Sequence, residues 1–287
     1  MSESLSIVIP SKNEEKGLTV LLPKLQTQYP AAEIIIVNDG SSDNTENICR
    51  NHNVKVSSHP YAMGNGAAIK TGARAAAGDI LVFMDADGQH DPADIPSLLA
   101  KIDEGYDMAV GARTKDSHAG LHRATANGVY NTLASLMTGH RIPDLTSGFR
   151  AVKAKHFRQF LYLLPNGFSY PTTITMSFFR AGLKIAYVPI SARKRIGMSH
   201  VRIFRDGIRF LLIIFKVGTL YSPLKLFLPV SLFFFCIGTG YYAYTFISAG
   251  RFTNMSALMF ITSVLVFLIG LVSEQITVLI YKGSDQG

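Results

Sequence analysis

The stretch Phe83–Pro92, FMDADGQHDP, concentrates three carboxylates and an amide directly after the apolar run ILVF. In an extended segment side chains alternate between two faces, so Asp85, Asp87 and Gln89 project to the same side. Oxygen ligands clustered at the end of a strand suit a hard divalent cation, Mg²⁺ or Mn²⁺. The pattern therefore predicts that these three side chains bind such a cation, which would bridge to a diphosphate.

The alternative interpretation of this stretch is a solvated acidic turn whose last aspartate, Asp91, caps the next helix. We adopt that interpretation for Asp91, which directly precedes Pro92 and a helical segment. Asp85 and Asp87 follow a buried strand at the edge where ligands bind, and for these two residues the pattern favours the metal site.

A second polar turn, VNDGSSDNT at residues 37–45, also ends an apolar run. Asp39 in this turn could accept hydrogen bonds from a nucleobase N–H, while Asn38 and Gly40 would shape the turn. An ordinary Asp-Gly turn explains the same residues equally well. The motif alone leaves both interpretations open.

Strand-like and helix-like segments alternate through residue 190. The strand-like segments are LSIVIP, EIIIVNDG, VKVSSH, DILVFMD, DMAVGAR, GFRAVK and KIAYVPI. Between them lie helix-like segments such as EKGLTVLLPKL, GAAIKTGARAAAG, SLLAKIDE and TTITMSFFRAG. This alternation predicts an α/β domain with a mostly parallel sheet. Ligands of such sheets bind at the carboxyl ends of the strands, which is where NDG and DADGQ fall.

The residues beyond 200 have a different composition, dominated by Phe, Leu, Ile and Val. Leu226–Gly250 and Phe252–Ser273 contain no charged residue, and each run is long enough to cross a bilayer. Two such runs in succession predict a transmembrane hairpin. The segment 201–222 has basic residues on one side of a helix and apolar residues on the other, which is typical of a helix in the membrane interface.

The formal net charge is +8, and basic residues concentrate just before the first apolar run. This basic cluster comprises Arg193, Lys194, Arg195, Arg202, Arg205, Arg209, Lys216 and Lys225. Beside an apolar tail it predicts contact with anionic lipid headgroups, and no motif for nucleic acid accompanies it. The positive-inside rule predicts that both termini and the α/β domain are cytoplasmic. The two cysteines form no CxxC motif and fit a reducing compartment.

Four motifs occur along the chain in the order VIPSKNEE, VNDGSSDNT, GDILVFMDADGQHDP and TSGFR. Together they resemble family 2 glycosyltransferases of the GT-A fold, in the branch of dolichol-phosphate mannose synthase and bacterial polyprenyl-phosphate glucosyltransferases. The resemblance implies a Rossmann-like GT-A domain with a mostly parallel sheet at residues 1–200 and amphipathic interface helices at 201–222. It also implies a hairpin within 223–282, with transmembrane helices at about 226–250 and 253–273.

The resemblance also implies a pocket for a nucleotide-diphosphate sugar. The residues that would line it are Pro10, Asn13, Glu14, Asp39, Asp85 and Asp87. Asp85 and Asp87 would form the DxD motif on the donor diphosphate, with Asp87 and Gln89 as the more direct metal ligands. Lys12 departs from the aromatic residue that the family usually has beside the base.

The acceptor phosphate is the second ligand that the resemblance implies. Its predicted residues are Arg113, Arg123, Ser147, Arg195 and Ser199, the last two within the Arg-rich loop RKRIGMS. Asp87, Arg113 and Arg123 are accordingly the implied catalytic residues.

Some members of the family carry an aspartate, proposed as a base, inside the motif that matches TSGF. Gly148 occupies that position in this chain, and Asp144 is the only carboxylate nearby. A lipid monophosphate is largely a dianion at neutral pH, so it needs orienting arginines more than a general base. We therefore expect no essential proton acceptor.

The predicted reaction is inverting transfer of one hexose from a nucleotide-diphosphate sugar to a polyprenyl phosphate, either undecaprenyl or dolichyl. UDP-sugar is slightly preferred over GDP-mannose, and the sequence does not specify the sugar. A processive synthase would need a QxxRW motif, and the chain contains no tryptophan. The remaining alternative is a membrane-anchored adaptor with an inactive GT-A domain, against which the intact DxD argues. Packing of hairpins into a homo-oligomer is left open.

Overall fold

The computed structural model describes residues 3–113, 121–167, 169–191, 215, 218–219 and 221–282, with the backbone alone for 121–127, 129 and 282. The chain divides into two compact units, residues 1–202 and 203–287. The first contains the sheet and the second contains the apolar helices.

The first unit is built on one sheet of seven strands. These are β1 (Leu5–Ser11), β2 (Glu33–Asn38), β3 (Lys55–Ser58), β4 (Ile80–Phe83), β5 (Met108–Arg113), β6 (Arg150–Lys153) and β7 (Ile185–Ile190). Their order across the sheet is β3-β2-β1-β4-β6-β5-β7. All neighbouring pairs are parallel except those of β6, which is antiparallel to β4 and β5. The predicted mostly parallel sheet is confirmed.

Within the described residues of this unit, seven α-helices connect or flank the strands. They are α1 (Glu15–Gln28), α2 (Thr45–Asn51), α3 (Asn65–Ala75), α4 (Ile95–Asp103), α5 (Leu121–Thr138), α6 (Ala154–Gln159) and α7 (Tyr170–Arg180). The sequence patterns missed α6, which is short and follows β6 without a break. The apolar residues of β1, β2 and β4 are buried between the sheet and its helices, as strands covered on both faces require.

The reversed direction of β6 determines which segments meet at the functional edge. Arg150, the first residue of β6, is in register with Phe83 at the end of β4 and with Val110 of β5. The chain before β6 therefore reaches the same edge as the chain that follows β4 and β5. This geometry brings the TSGF segment next to the DADGQ segment, although about 60 residues separate them in sequence.

The second unit is a helical hairpin of α8 (Pro223–Ala249) and α9 (Asn254–Lys282). Its turn uses Gly250 at φ 61°, a left-handed conformation that glycine adopts without strain. Ser231 and Ser263 hold the helices together by reciprocal hydrogen bonds, each hydroxyl donating to the other's carbonyl at 2.9 Å. Gly270 allows equally close packing, since a Cβ there would lie 2.8 Å from Cβ of Phe227. The helix ends lie within a few residues of the predicted spans, apart from the longer carboxyl end of α9.

The two hairpin helices are long and apolar enough to cross a membrane. In the most apolar stretch of each, 11% and 17% of the residues are buried, so packing within the chain leaves most of both helices exposed. At the other end of the hairpin, Ser222 Oγ and Leu224 N each donate to Glu274 Oε2 at 3.2 Å. The predicted amphipathic segment, 201–222, lies largely outside the described residues.

Candidate active site

The carboxylate loop, residues 84–91, follows β4 at the carboxyl edge of the sheet. The loop is closed by a hydrogen bond within it, in which the backbone N–H of Gln89 donates to Asp87 Oδ1 at 3.1 Å, and Gly88 in the turn adopts φ 75°. On one side it packs directly on α1, where a Cβ at Gly17 would lie only 2.0 Å from the Ala86 carbonyl oxygen. The loop is therefore held in a defined shape, with Asp87 only 7% exposed.

The donors of this loop fit a divalent cation by their chemistry. Two carboxylates and one amide, from Asp85, Asp87 and Gln89, are hard oxygen ligands of the kind that Mg²⁺ and Mn²⁺ take. Within the described part of the chain, no group of three or more His, Cys, Asp or Glu side chains is arranged to hold a metal ion. A cation here would thus depend on Gln89, water or a ligand phosphate for its remaining ligands.

Asp91 lies at the end of the same loop and has a different task. Its Oδ1 accepts from the Ala93 amide at 3.2 Å and caps the 3₁₀ turn Pro92–Asp94. The predicted capping role of Asp91 is confirmed.

The β1–β2 loop cluster, residues 11–15 and 38–46, is joined by hydrogen bonds from backbone amides to neutral side chains and to the carboxylates of Glu15 and Asp43. Asn13 Oδ1 accepts from the Ser42 amide at 2.8 Å, and the Asn13 amide donates to Ser41 Oγ at 3.0 Å. The Glu14 amide donates to Thr45 Oγ1 at 3.1 Å. Asn13 has φ 56°, a left-handed conformation that asparagine tolerates better than most residues. These bonds hold the two predicted nucleotide-binding turns side by side.

Asp39 is buried, and its carboxylate already has protein partners. Oδ1 accepts from the Met63 amide at 2.7 Å and lies 2.8 Å from His59 Nδ1, while Oδ2 accepts from the Gly64 amide at 2.9 Å. Burial alone would raise the pKa of Asp39, but these hydrogen bonds outweigh it and hold the pKa below the ordinary range. A carboxylate has about four acceptor sites, so Oδ2 retains capacity for one further donor.

The β4–β6 loop cluster, residues 84–91, Arg113 and 144–149, contains an ion pair between two of its segments. Arg113 forms a bidentate pair with Asp144, with Nε to Oδ2 at 2.7 Å and Nη2 to Oδ1 at 3.0 Å. Nη2 also donates to Thr146 Oγ1 at 2.6 Å. Burial opposes ionisation of Asp144, but its bonds with Arg113 prevail and lower its pKa. The same bonds raise the pKa of Arg113, and the charge of Asp85 adds to that increase.

Arg150 lies beneath this cluster and is fully buried. Its Nη2 donates to the Ser147 carbonyl, and Nη1 donates to the Pro171 carbonyl and to Thr175 Oγ1, both at 3.3 Å. No carboxylate bonds it directly among the described residues, and burial lowers its pKa. Arg150 was not predicted as a site residue, although a charged residue inside the apolar strand segment GFRAVK is a visible signal in the sequence.

The predicted site residues fall into three groups. Pro10, Asn13, Glu14 and Asp39 lie at the carboxyl ends of β1 and β2, whereas Asp85, Asp87, Gln89, Arg113 and Ser147 lie at the ends of β4, β5 and the start of β6. A Cβ at Gly148 would lie 3.4 Å from Asp85 Oδ2, so these two segments are in contact. Arg123 belongs to the first part of α5, residues 121–127, where only the backbone is described. Arg195 and Ser199 lie outside the described residues.

Ser147 is less accessible than its predicted role requires. It is 2% exposed, and its hydroxyl has no hydrogen-bond partner within the described residues. A phosphate could contact this hydroxyl only after a local rearrangement.

A depression of about 500 Å³ lies at the opposite end of the sheet. It is lined by residues at the amino ends of β2 and β3, including Tyr29 and the ion pair of Glu33 with Lys55 at 2.9 Å. Ligands of parallel sheets bind at the carboxyl ends, and the carboxylates and arginines gather there as well. We therefore assign the site to the carboxyl edge.

Residues 6–161, more than half of the chain, match the family described as "Glycosyl transferase family 2". The chain belongs to glycosyltransferase family 2. The description "GtrB C-terminal hairpin" matches residues 222–279 of this glycosyltransferase. The family, the GT-A-like fold and the carboxyl-terminal hairpin predicted from the four motifs are confirmed.

Related sequences are consistent with this assignment. An uncharacterised protein of Methanocaldococcus jannaschii, MJ1222, is 31% identical over 197 residues, which are 66% of this chain and 81% of that protein. The undecaprenyl-phosphate 4-deoxy-4-formamido-L-arabinose transferase of Proteus mirabilis is 34% identical over 162 residues, 52% of this chain and 48% of that protein. The glycosyltransferase thus spans about half the length of the curated transferases that it matches.

Among solved structures, glucosyl-3-phosphoglycerate synthase from Mycobacterium tuberculosis superposes with a TM-score of 0.62 at 21% identity. The match covers 76% of this chain and 79% of that one, which was solved in complex with Mn²⁺, UDP and glucosyl-3-phosphoglycerate. At this level of identity the likeness supports the fold alone.

Proposed function

We propose that this glycosyltransferase transfers a single hexose from a nucleotide-diphosphate sugar to a polyprenyl phosphate, with inversion at the anomeric carbon. One observation carries the proposal: a sheet edge with two carboxylates and a half-buried arginine, paired with Asp144, occurs in the same chain as an apolar hairpin. The carboxylates suit a cation-bound diphosphate, the arginine suits a phosphate, and the hairpin suits an acceptor that is itself a lipid. The named relatives, undecaprenyl-phosphate sugar transferases, support the lipid acceptor.

The donor would bind along the carboxyl ends of β1, β2 and β4. Pro10, Asn13, Glu14 and Asp39 would contact the nucleoside, with the free acceptor site of Asp39 Oδ2 directed to a base N–H. Asp85, Asp87 and Gln89 would hold Mg²⁺ or Mn²⁺ against the diphosphate. The cation, when bound, would neutralise the charge that develops on the departing nucleoside diphosphate. The structural neighbour was solved with UDP and Mn²⁺ or Mg²⁺, and our proposal extends such a cation to this chain together with a mild preference for a UDP-sugar.

The acceptor phosphate would bind at the β4–β6 loop cluster. Arg113 would bind it together with Arg123, Ser147, Arg195 and Ser199. Because Asp144 already takes two hydrogen bonds from the Arg113 guanidinium, the incoming phosphate would share the guanidinium with Asp144 or displace it. The lowered pKa of Asp144 also makes it a weak base, consistent with a dianionic nucleophile that attacks without proton transfer.

The same chain would act at the cytoplasmic surface of a membrane. Residues 1–200 would form the catalytic domain, 201–222 the interface helices and 223–282 the membrane hairpin, with both termini cytoplasmic. The basic cluster beside the hairpin supports this orientation, because lysine and arginine are retained on the cytoplasmic side. The same hairpin would provide the surface for a homo-oligomer.

The deciding experiment is a transfer assay with purified full-length protein. The reaction would contain Mn²⁺, undecaprenyl phosphate and one radiolabelled donor at a time, from a panel of UDP- and GDP-hexoses. We expect chloroform-soluble sugar lipid with at least one donor, and loss of product on chelation with EDTA. An absence of product across the whole panel would contradict transferase activity and leave the membrane-anchored adaptor with an inactive domain.

The assignment of the two half-sites has its own test. Arg123→Ala should raise the KM for undecaprenyl phosphate by about tenfold or more and leave the affinity for the nucleotide unchanged, since it removes one charged contact with the acceptor phosphate. Donor affinity is measured independently by displacement of a fluorescent nucleotide. A variant that instead loses nucleotide and keeps the lipid KM would reverse the assignment.

A further inference from the structure

His90 is buried at the end of the carboxylate loop, and its ring makes two contacts that connect separate segments. Its Nδ1 accepts a hydrogen bond from the Asp85 amide at 3.1 Å, and its ring stacks on Phe149 with centroids 4.9 Å apart and an interplanar angle of 15°. His90 is 7% exposed and Phe149 is fully buried. Because Nδ1 accepts, the ring proton of the neutral histidine is on Nε2.

The first contact determines where the Asp85 backbone lies. The Asp85 amide has left the β4 ladder, which ends at Phe83, and needs an acceptor from elsewhere in the chain. His90 supplies that acceptor from five residues further along the loop. The loop is thus closed across its base, with the Asp85–Asp87 segment inside the closure.

The second contact joins the loop to the segment that precedes β6. Phe149 is followed by Arg150, which donates to the Ser147 carbonyl, and Tyr170 Oη donates to the Gly148 carbonyl at 3.3 Å. The 147–149 segment is therefore itself held by buried groups. Through the His90–Phe149 stack, the segment predicted to bind the acceptor supports the loop predicted to bind the cation.

We propose that His90 is a positioning residue, which sets the geometry of the carboxylate loop through Nδ1 and couples it to the 147–149 segment through its ring. The inference rests on the proposed function only in taking the loop to bind a divalent cation. Residues that orient metal ligands from outside the coordination sphere commonly change metal affinity by ~10–100-fold when replaced. His90 would act in this way on the backbone of Asp85.

Two isosteric substitutions separate the role of Nδ1 from a general packing role. In His90→Asn, the side-chain oxygen can occupy the place of Nδ1, whereas in His90→Gln it reaches the place of Nε2. Mn²⁺ binding to the full-length protein in detergent, followed by electron paramagnetic resonance, gives a readout that does not require turnover. We expect His90→Gln to weaken Mn²⁺ binding by about tenfold or more and His90→Asn to recover most of that loss.

The ring contact is tested by Phe149→Leu, which removes the stacking partner and keeps an apolar side chain. We expect weaker Mn²⁺ binding, and a smaller effect when the substitution is made on the His90→Asn background, where the stack is already absent. His140→Gln is the matched control, since His140 also stacks on a phenylalanine, Phe179, at 5.0 Å, outside the carboxylate loop. It should leave Mn²⁺ binding unchanged.

Equal Mn²⁺ affinities of folded His90→Asn and His90→Gln, or affinities equal to that of the unsubstituted protein, would overturn the inference. An unsubstituted protein that binds no Mn²⁺ would overturn it as well. The expected order of Mn²⁺ affinities in a protein that forms no sugar lipid with any donor would instead support His90 and remove the proposed function. The two hypotheses therefore fail by different observations.

Discussion

The two loop clusters at the carboxyl edge of the sheet are held together by different forces. The two segments of the β1–β2 loop cluster are joined by backbone amides that donate to Asn13 and to the carboxylates of Glu15 and Asp43, with no ion pair between the segments among the described residues, and Asn13 itself is exposed. The β4–β6 loop cluster contains the Arg113–Asp144 pair, in which the Asp144 side chain is 7% exposed, and rests on the fully buried Arg150.

The difference has an energetic meaning. An exposed neutral hydrogen bond contributes about 1 kcal/mol, because water replaces it at little cost. A buried charge that loses its partner costs several times more. We therefore expect a substitution in the Arg113–Asp144 pair to cost more stability than one at Asn13.

The largest effect is expected at Asp87, whose negative charge would bind the divalent cation directly. Asp87→Asn keeps Oδ1 as an acceptor for the Gln89 amide and removes only the negative charge, so the loop retains its internal bond. We expect Mn²⁺-dependent binding of UDP or GDP to weaken by at least about 100-fold, measured by calorimetry.

Asp91→Asn is the matched control for this charge. It lies in the same loop and likewise keeps an acceptor for the Ala93 amide. We expect near-normal binding. Equal losses in the two variants would show that the net charge of the loop matters and that Asp87 has no special place in it.

A second, intermediate effect is expected from Asp144→Asn, which leaves Arg113 with an incomplete partner. Since the pair is largely buried, the free energy of unfolding should fall by roughly 3 kcal/mol at pH 7. The folded-state pKa of Asp144 lies below its unfolded value of about 3.9, so its stabilisation is present above that pH and is lost as the pH falls through the folded pKa.

The measurement is urea unfolding of both proteins between pH 7 and pH 3. The stability difference should be constant above about pH 4 and shrink below it. A difference that persists unchanged at pH 3 would mean that the substitution acts through packing and not through the charge.

The smallest effect is expected in the β1–β2 loop cluster. Asn13→Ala loses the bond to the Ser42 amide and places alanine at φ 56°, and we expect a loss of about 1 kcal/mol and a nucleotide KM raised by about threefold. Asn13→Gly loses the bond without the strain, so its stability and its nucleotide KM should lie between those of the unsubstituted protein and Asn13→Ala.

Asn53→Ala supplies the control for strain alone. Asn53 has φ 52°, close to that of Asn13, but lies between α2 and β3, away from the functional edge. It should destabilise the protein and leave the nucleotide KM unchanged. If both variants raise KM alike, the effect of Asn13 is transmitted by stability rather than by the loop.

Much of the fold follows from local patterns in the sequence. The buried runs of β1, β2 and β4 are continuous and β-branched, so their assignment as strands does not depend on distant contacts. The assignment of the two hairpin helices is equally local, because length and the absence of charge decide whether a segment can cross a bilayer. The DxD and TSGFR motifs could be identified because chemistry-bearing residues were grouped within a few positions.

The antiparallel direction of β6 was beyond local patterns, since strand pairing depends on contacts between distant parts of the chain. That direction places Gly148 beside Asp85 and lets Phe149 stack on His90. The partners of each charge were equally hidden: Arg113 was predicted to contact a phosphate, and in the structure it pairs with Asp144.

The sequence by itself determined the family, the α/β sheet, the apolar hairpin and the residue types available to a diphosphate and its cation. Each of these depends on composition and short-range spacing, which are present in the sequence and require no contact between distant segments. Only the tertiary structure decided which charges are buried and paired, that Arg150 lies beneath the site, and that His90 connects two loops. Burial and pairing arise when distant segments meet and exclude water, and no single segment carries that information.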